Sequence, residues 1–396
     1  MRRLKLRMSP TVSGKVMKVL LVDTAFAAAP IYDYLLSEGF DVWVMGSRPE
    51  DVLARRAGSQ WICQDYSQID MVRGIVRAHG FDCVVPGCTD VSIHTCLHLD
   101  ICTHRFDSVA ANTTLSDKSK FRQLCRQLDL PAPETLNITQ FPRPGHYICK
   151  PTDAYSGRGI TTFDGMDVAA GEHAVQLAQS ESPSHCALIE EFIQGNLYSF
   201  SAFIENGLIV QGFYVIEGSS ANPFAVDTSY LVWDMPRPCR DSLEPALERM
   251  CHHLGLVDGL LHTQFIFDGS RPYIVEVSRR CPGDLYPLLI EYSTGFPYAA
   301  TYAYAYAQAQ SRPQYSAQSR YVLRHTVAAL TDTIYGGLKF TDNLSVKAFY
   351  PLLPLGKDLM ARQGNRAGVL FCESASYEDI SRTYEKFLDR SVYKIE

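Results

Sequence analysis

The sequence has 396 residues, 46% hydrophobic and 20% charged, with a formal net charge of −6. That balance is ordinary for a globular chain of roughly two to four domains, and its acidic excess lacks the basic footprint of a nucleic-acid binder. No apolar run approaches the ~20 residues of a membrane span, and the twelve cysteines stand singly, without a CxxC pair or zinc spacing, as expected of free thiols in a reducing cytoplasm.

The first 15 residues, MRRLKLRMSPTVSGK, are basic and lack the apolar centre of a signal peptide. They read as a disordered extension over 1–16 or as an organellar presequence, with the folded chain beginning near Met17. Strands are expected at 18–24 (KVLLVDT), 41–45 (DVWVM), 60–65 and 81–86 (FDCVVP), with helices over 27–38, ended by Gly39, and over 69–79. This alternation implies parallel βαβ units, a Rossmann-like domain over 17–113. Its first loop, DTAFA, lacks G-x-G-x-x-G, so no dinucleotide site is expected. The stretch PGCTD lies at the carboxyl end of a strand, where α/β ligand sites form; Asp90 there is either a substrate contact or a helix N-cap.

In TLSDKSKFRQLCRQLDLPAP, Ser116 or Asp117 can cap a helix whose apolar positions are Phe121, Leu124, Cys125 and Leu128, and the two prolines stop it. In HYICKPTDAYSGRGI a strand delivers Lys150 into a loop of small residues that includes Ser156 and Gly157. Clustered backbone N–H groups and one lysine charge make either a phosphate clamp or an ordinary turn. ALIEEFIQGNLY is a strand ending in two carboxylates, Glu190 and Glu191. A hairpin follows over 199–214 with Glu205, Asn206 and Gly207 at its turn; 219–234 reads as a loop available to substrate, and 243–254 as an amphipathic helix stopped by Gly255.

The most informative stretch is LHTQFIFDGSRPYIVEVSRRCPGD, over 261–284. Two apolar strands flank turn chemistry at Asp268, Gly269 and Pro272. If Phe267 pairs with Tyr273, Gln264 lies opposite Glu276 and His262 opposite Ser278, with opposed Cβ atoms roughly 5 Å apart on one face. Carboxylate, amide and hydroxyl oxygens beside Arg279 and Arg280 suit Mg²⁺, which takes few protein ligands; the same pattern also fits a plain amphipathic hairpin. Helices follow over 286–292 and 297–309, split by Gly295; the remainder, 321–396, carries Arg324 and His325, a strand over 368–371 and a helix over 377–388.

PYIVEVSRRCPGD resembles the closing signature of the ATP-grasp superfamily, written Glu-hydrophobic-Asn-x-Arg and followed in one branch by Gly-Asp. The Lys150 and Glu190 segments are similar to its lid strand and its interdomain hinge, in the same order. The resemblance spans about 17–390 and implies an α/β ATP-grasp fold. Its parts would be an N-terminal Rossmann-like domain (17–113), a mobile lid subdomain (114–193), a central α+β catalytic subdomain (194–320) and a small closing domain (321–396). It further implies that Lys118, Lys150, Ser156, Gly157, Glu190, Glu191, Phe192, Ile193 and Ile266 contact ATP. Gln264, Glu276 and Ser278 would hold Mg²⁺ or Mn²⁺, while Arg280, with Lys150, would serve the reacting acyl phosphate.

The pattern has Asn where this chain has Ser278, and a carboxylate where it has Gln264; carbamoyl-phosphate synthetase domains also carry that Gln. Many relatives follow the hinge with Gly-x-Glu, where this chain has Gly195, Asn196 and Leu197. The expected function is ATP-dependent carboxylate–amine ligation in the cytoplasm, on amino-acid-like substrates, by a monomer or homodimer, without nucleic acid or membrane. A bicarbonate-dependent carboxylase or carbamoyl-phosphate-type enzyme, and a degenerate nucleotide binder, are the alternatives.

Overall fold

The computed structural model describes residues 11–12, 15–154, 157–309, 311–362 and 364–396. The N-terminal part is a four-stranded parallel sheet ordered Trp61–Ile62, Asp41–Met45, Lys18–Val22, Cys83–Pro86. Helices cover parallel strands on both faces, so their residues are apolar without alternation: Val19, Leu20, Leu21 and Val22 have no exposed surface. The helix Ala29–Ser37 carries Pro30 in its first turn, where the missing N–H costs nothing, and Gly39 takes a positive φ past its end. Of the extension expected over 1–16, Thr11–Val12 pairs with Lys15–Val16 in a two-stranded ladder, while 1–10 and 13–14 lie outside the described residues.

The next part is an antiparallel sheet ordered Thr135–Leu136, Ala187–Glu191, His146–Pro151, Thr161–Asp164. The helix Val168–Glu181 packs on it through Ala174 and Ala178, against Tyr147, Cys149, Phe163 and Ile189. Asp117, rather than Ser116, caps the helix Lys118–Gln127 that leads into this sheet, accepting from the Lys120 N–H at 2.9 Å.

Eight antiparallel strands form the central sheet: Pro272–Ser278, Gly259–Phe267, Asn196–Glu205, Leu208–Gly218, Thr228–Val232, Tyr321–Val327, Gly368–Ser374 and Val346–Pro351. Thr228–Val232 is therefore a strand within the stretch expected to be a loop. Residues 321–396 contribute three strands to the sheet, so it runs continuously across the proposed boundary at 320. The helix Arg237–Leu254 covers one face with Leu243, Ala246, Leu247 and Met250. On the other side, Tyr298 and Tyr302 of the helix Tyr298–Ala307 are fully buried in the core that joins the central sheet to the N-terminal domain. That shared core holds the carboxyl ends of the N-terminal strands beside the 259–278 hairpin.

Candidate active site

The hairpin brings together the pairs anticipated from sequence. Gln264 lies opposite Glu276 and His262 opposite Ser278. The turn itself is displaced: Phe267 pairs with Pro272 rather than Tyr273, and Val275 is an extra residue in the ladder that restores the register before Glu276. Glu276 is exposed and makes no hydrogen bond or ion pair among the described residues. The Ser278 hydroxyl accepts from the Arg280 N–H at 3.2 Å. His262 turns away into the core, its Nδ1 2.6 Å from the Ser201 hydroxyl; burial depresses its pKa to about 3, so the ring is neutral.

Sequence reading missed Glu217. It is buried at the end of the strand Leu208–Gly218, and its Oε2 accepts from Gln264 Nε2 at 2.6 Å. Burial raises its pKa to about 6, against the lowering by Ser199, Arg324 and Gln264; the charge of Glu276 adds to the rise. Among the described residues no three His, Cys, Asp or Glu side chains form a metal cluster. A cation here would take Glu217, Glu276 and neutral oxygens of Gln264 and Ser278, with phosphate filling the rest, a donor set that fits Mg²⁺.

Lys150 and Glu190 are held together. Lys150 Nζ donates to Glu190 Oε2 at 2.6 Å, Arg122 Nε donates to Glu190 Oε1, and Arg122 Nη2 donates to the Val275 carbonyl at 2.8 Å. The Glu190 side chain is buried, and its two cationic partners outweigh the desolvation penalty, depressing its pKa to about 2. Glu190 therefore fixes Lys150 and, through Arg122, ties the four-stranded antiparallel sheet to the hairpin at the bulge. Glu191 Oε1 accepts from the Glu134 N–H at 2.9 Å, anchoring the sheet's edge. Phe192 is 43% exposed, and its N–H donates to the His146 carbonyl at 2.9 Å. Ile193 is half-buried beside it. Gly195 presses against Ile266, where a Cβ would come within 2.9 Å of its Cγ2.

Lys118 Nζ donates to the Ala154 carbonyl at 3.1 Å. Burial lowers its pKa, Glu276 raises it and Lys150 lowers it, so this ammonium lies within electrostatic reach of both Lys150 and the hairpin carboxylate. Ser156 lies outside the described residues. Gly157 adopts φ +74° against the 219–227 loop, and a Cβ there would come within 2.9 Å of Phe224. Both its conformation and this approach require glycine.

Arg280 leaves the hairpin toward the N-terminal domain. Its Nε donates to Asp90 Oδ1 at 2.9 Å. Thr89, not Asp90, caps the helix Asp90–Leu97, accepting from the Ser92 N–H, so the Asp90 side chain is available for this cross-domain pair. The Lys118 ammonium also interacts electrostatically with Asp90.

No protein-family model matches the sequence. A curated relative, the carbamoyl phosphate synthase large chain of Clostridium acetobutylicum, is 26% identical over 191 residues, 46% of this chain; the match covers 18% of that protein's length. Solved structures agree over almost the whole chain. The phosphoribosylglycinamide synthetase of Anaerococcus prevotii superposes with a TM-score of 0.73 at 14% identity, covering 96% of this chain and 100% of that one. The L-amino acid ligase of Bacillus licheniformis gives 0.74 at 15%, covering 96% and 98%. A biotin carboxylase–β,γ-ATP complex from Campylobacter jejuni gives 0.70 at 13%, covering 96% and 92%. The chain has the ATP-grasp fold, a mixed α/β architecture shared with ligases and carboxylases.

Proposed function

We propose that this protein is an ATP-dependent carboxylate–amine ligase. The observation that carries the reading is that the Lys118 ammonium interacts electrostatically with Glu276, Lys150, Asp90 and Glu190, of which Glu190 holds Lys150 and Asp90 holds Arg280. Lys118 and Lys150 would neutralise phosphate oxygens. Glu217, Glu276, Gln264 and Ser278 would hold Mg²⁺ or Mn²⁺, which when bound screens the charge of the transferred phosphoryl group. Arg280 would stabilise the charge developing on the acyl phosphate and on the intermediate formed when an amine displaces phosphate, releasing ADP and phosphate. The remaining proposed nucleotide contacts are the lid loop at Ser156 and Gly157, the hinge Glu191, Phe192 and Ile193, and Ile266; Glu190 acts through Lys150.

Amino-acid-like carboxylates and amines are the substrate class we propose, in a cytoplasmic protein that works as a monomer or homodimer. All twelve cysteines are free, which supports a reducing compartment. No helix among the described residues is long and apolar enough to cross a membrane. The test is ADP and phosphate release with MgATP across pairwise mixtures of amino acids. Release requiring two amino acids, with an amide product by mass, supports the ligase. The likeness to carbamoyl phosphate synthase, together with Gln264, favours bicarbonate as a second reading. ADP release driven by bicarbonate alone would select it, and ATP binding without turnover would make this a nucleotide-binding protein only.

A further inference from the structure

A cavity of about 440 Å³ lies between the helix Lys118–Gln127 and the edge strand Thr135–Leu136 of the four-stranded antiparallel sheet. Arg122 and Arg126 line it from the helix, and Thr135, Asn137 and Gln140 from the other side. None of the proposed nucleotide contacts lines it, so it is separate from the cleft at Lys118 and Lys150. Arg122 is 3% exposed. One edge of its guanidinium is committed, Nε to Glu190 Oε1 and Nη2 to the Val275 carbonyl. Nη1, on the other edge of the plane, is buried and has no hydrogen-bond partner among the described residues. Burial raises the pKa of the neighbouring Cys125 thiol and the guanidinium lowers it; neutral sulfur is only a weak acceptor. A buried N–H of a cation left unpaired is costly, so its retention in a cavity wall calls for a ligand that accepts.

The rest of the lining also consists of donors. Asn137 Oδ1 accepts from the Thr139 N–H and hydroxyl, each at 3.0 Å, and Gln140 Oε1 accepts from the Asn137 N–H at 2.6 Å. A backbone N–H can meet only the oxygen of an amide, so what remains on both side chains is the NH₂ group. Arg126 donates from Nη1 to the Thr135 hydroxyl and makes no other hydrogen bond among the described residues. No lining residue is acidic. The adjacent carboxylates are already matched: Glu190 lies between Arg122 and Lys150, and Glu134 is held by Arg143 at 2.9 Å. Two guanidinium groups four residues apart on one helix, with two amide NH₂ groups beside them, select an anion.

We propose that this cavity is a second anion site, binding a phosphate group, free or carried by a small compound, between Arg122 and Arg126 with the Asn137 and Gln140 amides as further donors. A tetrahedral phosphate has three or four oxygens to distribute among these donors, and a planar carboxylate only two. The proposal does not depend on the ligase reading.

The experiment is calorimetric titration of the intact protein with inorganic phosphate, glycerol 3-phosphate and succinate. Arg126→Gln should weaken phosphate binding by about tenfold or more, the scale of one lost charge-assisted hydrogen bond. Asn137→Asp keeps the oxygen that Thr139 needs and turns the NH₂ donor into a second carboxylate oxygen, so it should weaken phosphate at least as much. Both residues are exposed, and melting curves confirm that both variants fold. Lys118→Met, which alters only the nucleotide cleft, should leave this binding unchanged; Lys150 is unsuited as that control because it shares Glu190 with Arg122. Succinate should bind more weakly than phosphate. Glycerol 3-phosphate binding tighter than inorganic phosphate identifies a phosphate monoester as the ligand, and weaker binding identifies the free ion; either supports the site. No phosphate binding to wild type, equal affinity in wild type and Arg126→Gln, a loss that follows Lys118→Met instead, or succinate bound as tightly as phosphate would each overturn the assignment.

Discussion

Lys150 and Glu190 sit on neighbouring antiparallel strands, diagonal across one face, with Nζ 2.6 Å from Oε2. Arg122 closes the carboxylate from the other side and reaches on to the Val275 carbonyl. A lysine expected to serve phosphate thus also belongs to a buried ionic triad, and its substitution changes stability as well as chemistry.

Glu190→Gln should leave Lys150 and Arg122 buried without a counter-charge. Breaking a buried pair in this way costs about 3–5 kcal/mol. Lys150→Met should cost less, because Arg122 still neutralises Glu190, yet it should weaken ATP use at least as strongly. Urea denaturation of both variants with ATP-dependence curves separates the two effects. A Glu190→Gln protein as stable as wild type would show that the triad does not stabilise the lid.

The same group sets an acid limit. Its pKa falls from 4.5 to about 2 on folding. As pH drops, the unfolded chain takes up this proton before the folded one. The stability Glu190 contributes is therefore complete above 4.5 and is lost as pH falls through about 2. Melting temperature should decline steeply over that window in wild type and more shallowly in Glu190→Gln; parallel curves would remove Glu190 as the source.

Gln264→Glu should convert a donor to Glu217 into a third carboxylate. Without metal, its charge opposes that of Glu217 at hydrogen-bond range, and the melting temperature should fall. With Mg²⁺ the variant should recover more stability than wild type gains, because a hard cation prefers carboxylate to amide. Thermal melts across a Mg²⁺ series read this directly. A variant whose melting temperature is indifferent to Mg²⁺ would place the cation elsewhere.

How much of this was legible in the sequence differs by residue. The N-terminal sheet and the helix Ile69–His79 followed from unbroken apolar runs and periodicity. The pairing of Gln264 with Glu276 was legible too, though the turn was misread by one residue and the extra Val275 made up the difference; a bulge leaves no mark in strand composition. Glu217 was not legible. The hairpin pattern weakens after Tyr214, and only the pairing of three strands carries its carboxylate to Gln264. Asp90 was visible as a candidate, but its partner is 190 positions away, and nothing local distinguishes an ion pair from a cap.

Glu276 and Arg280 provide the sharpest division between ligase and binder. They lie four residues apart, Glu276 in the hairpin's second strand and Arg280 just past its end. The fold gives Arg280 to Asp90 at 2.9 Å and leaves Glu276 exposed, with no hydrogen bond or ion pair among the described residues. Glu276→Gln should therefore leave stability within about 0.5 kcal/mol of wild type, as for a surface substitution. Its effect belongs to the cation, so MgATP affinity and all phosphoryl transfer should fall together. Arg280→Ala removes an ion pair that is partly open to solvent, worth about 1 kcal/mol or less. Under the proposed ligase reaction its guanidinium would meet charge that develops only during turnover, so the substitution should spare much of the ATP affinity and lower turnover by about 100-fold or more. Asp90→Asn, which keeps the shape but loses the charge orienting Arg280, should fall between wild type and Arg280→Ala in turnover. Nucleotide affinity, substrate-dependent ADP release and melting curves for the three variants form one experiment. Equal loss of ATP binding in Glu276→Gln and Arg280→Ala, in step with lost stability, would make Arg280 a structural residue and return the site to nucleotide binding alone.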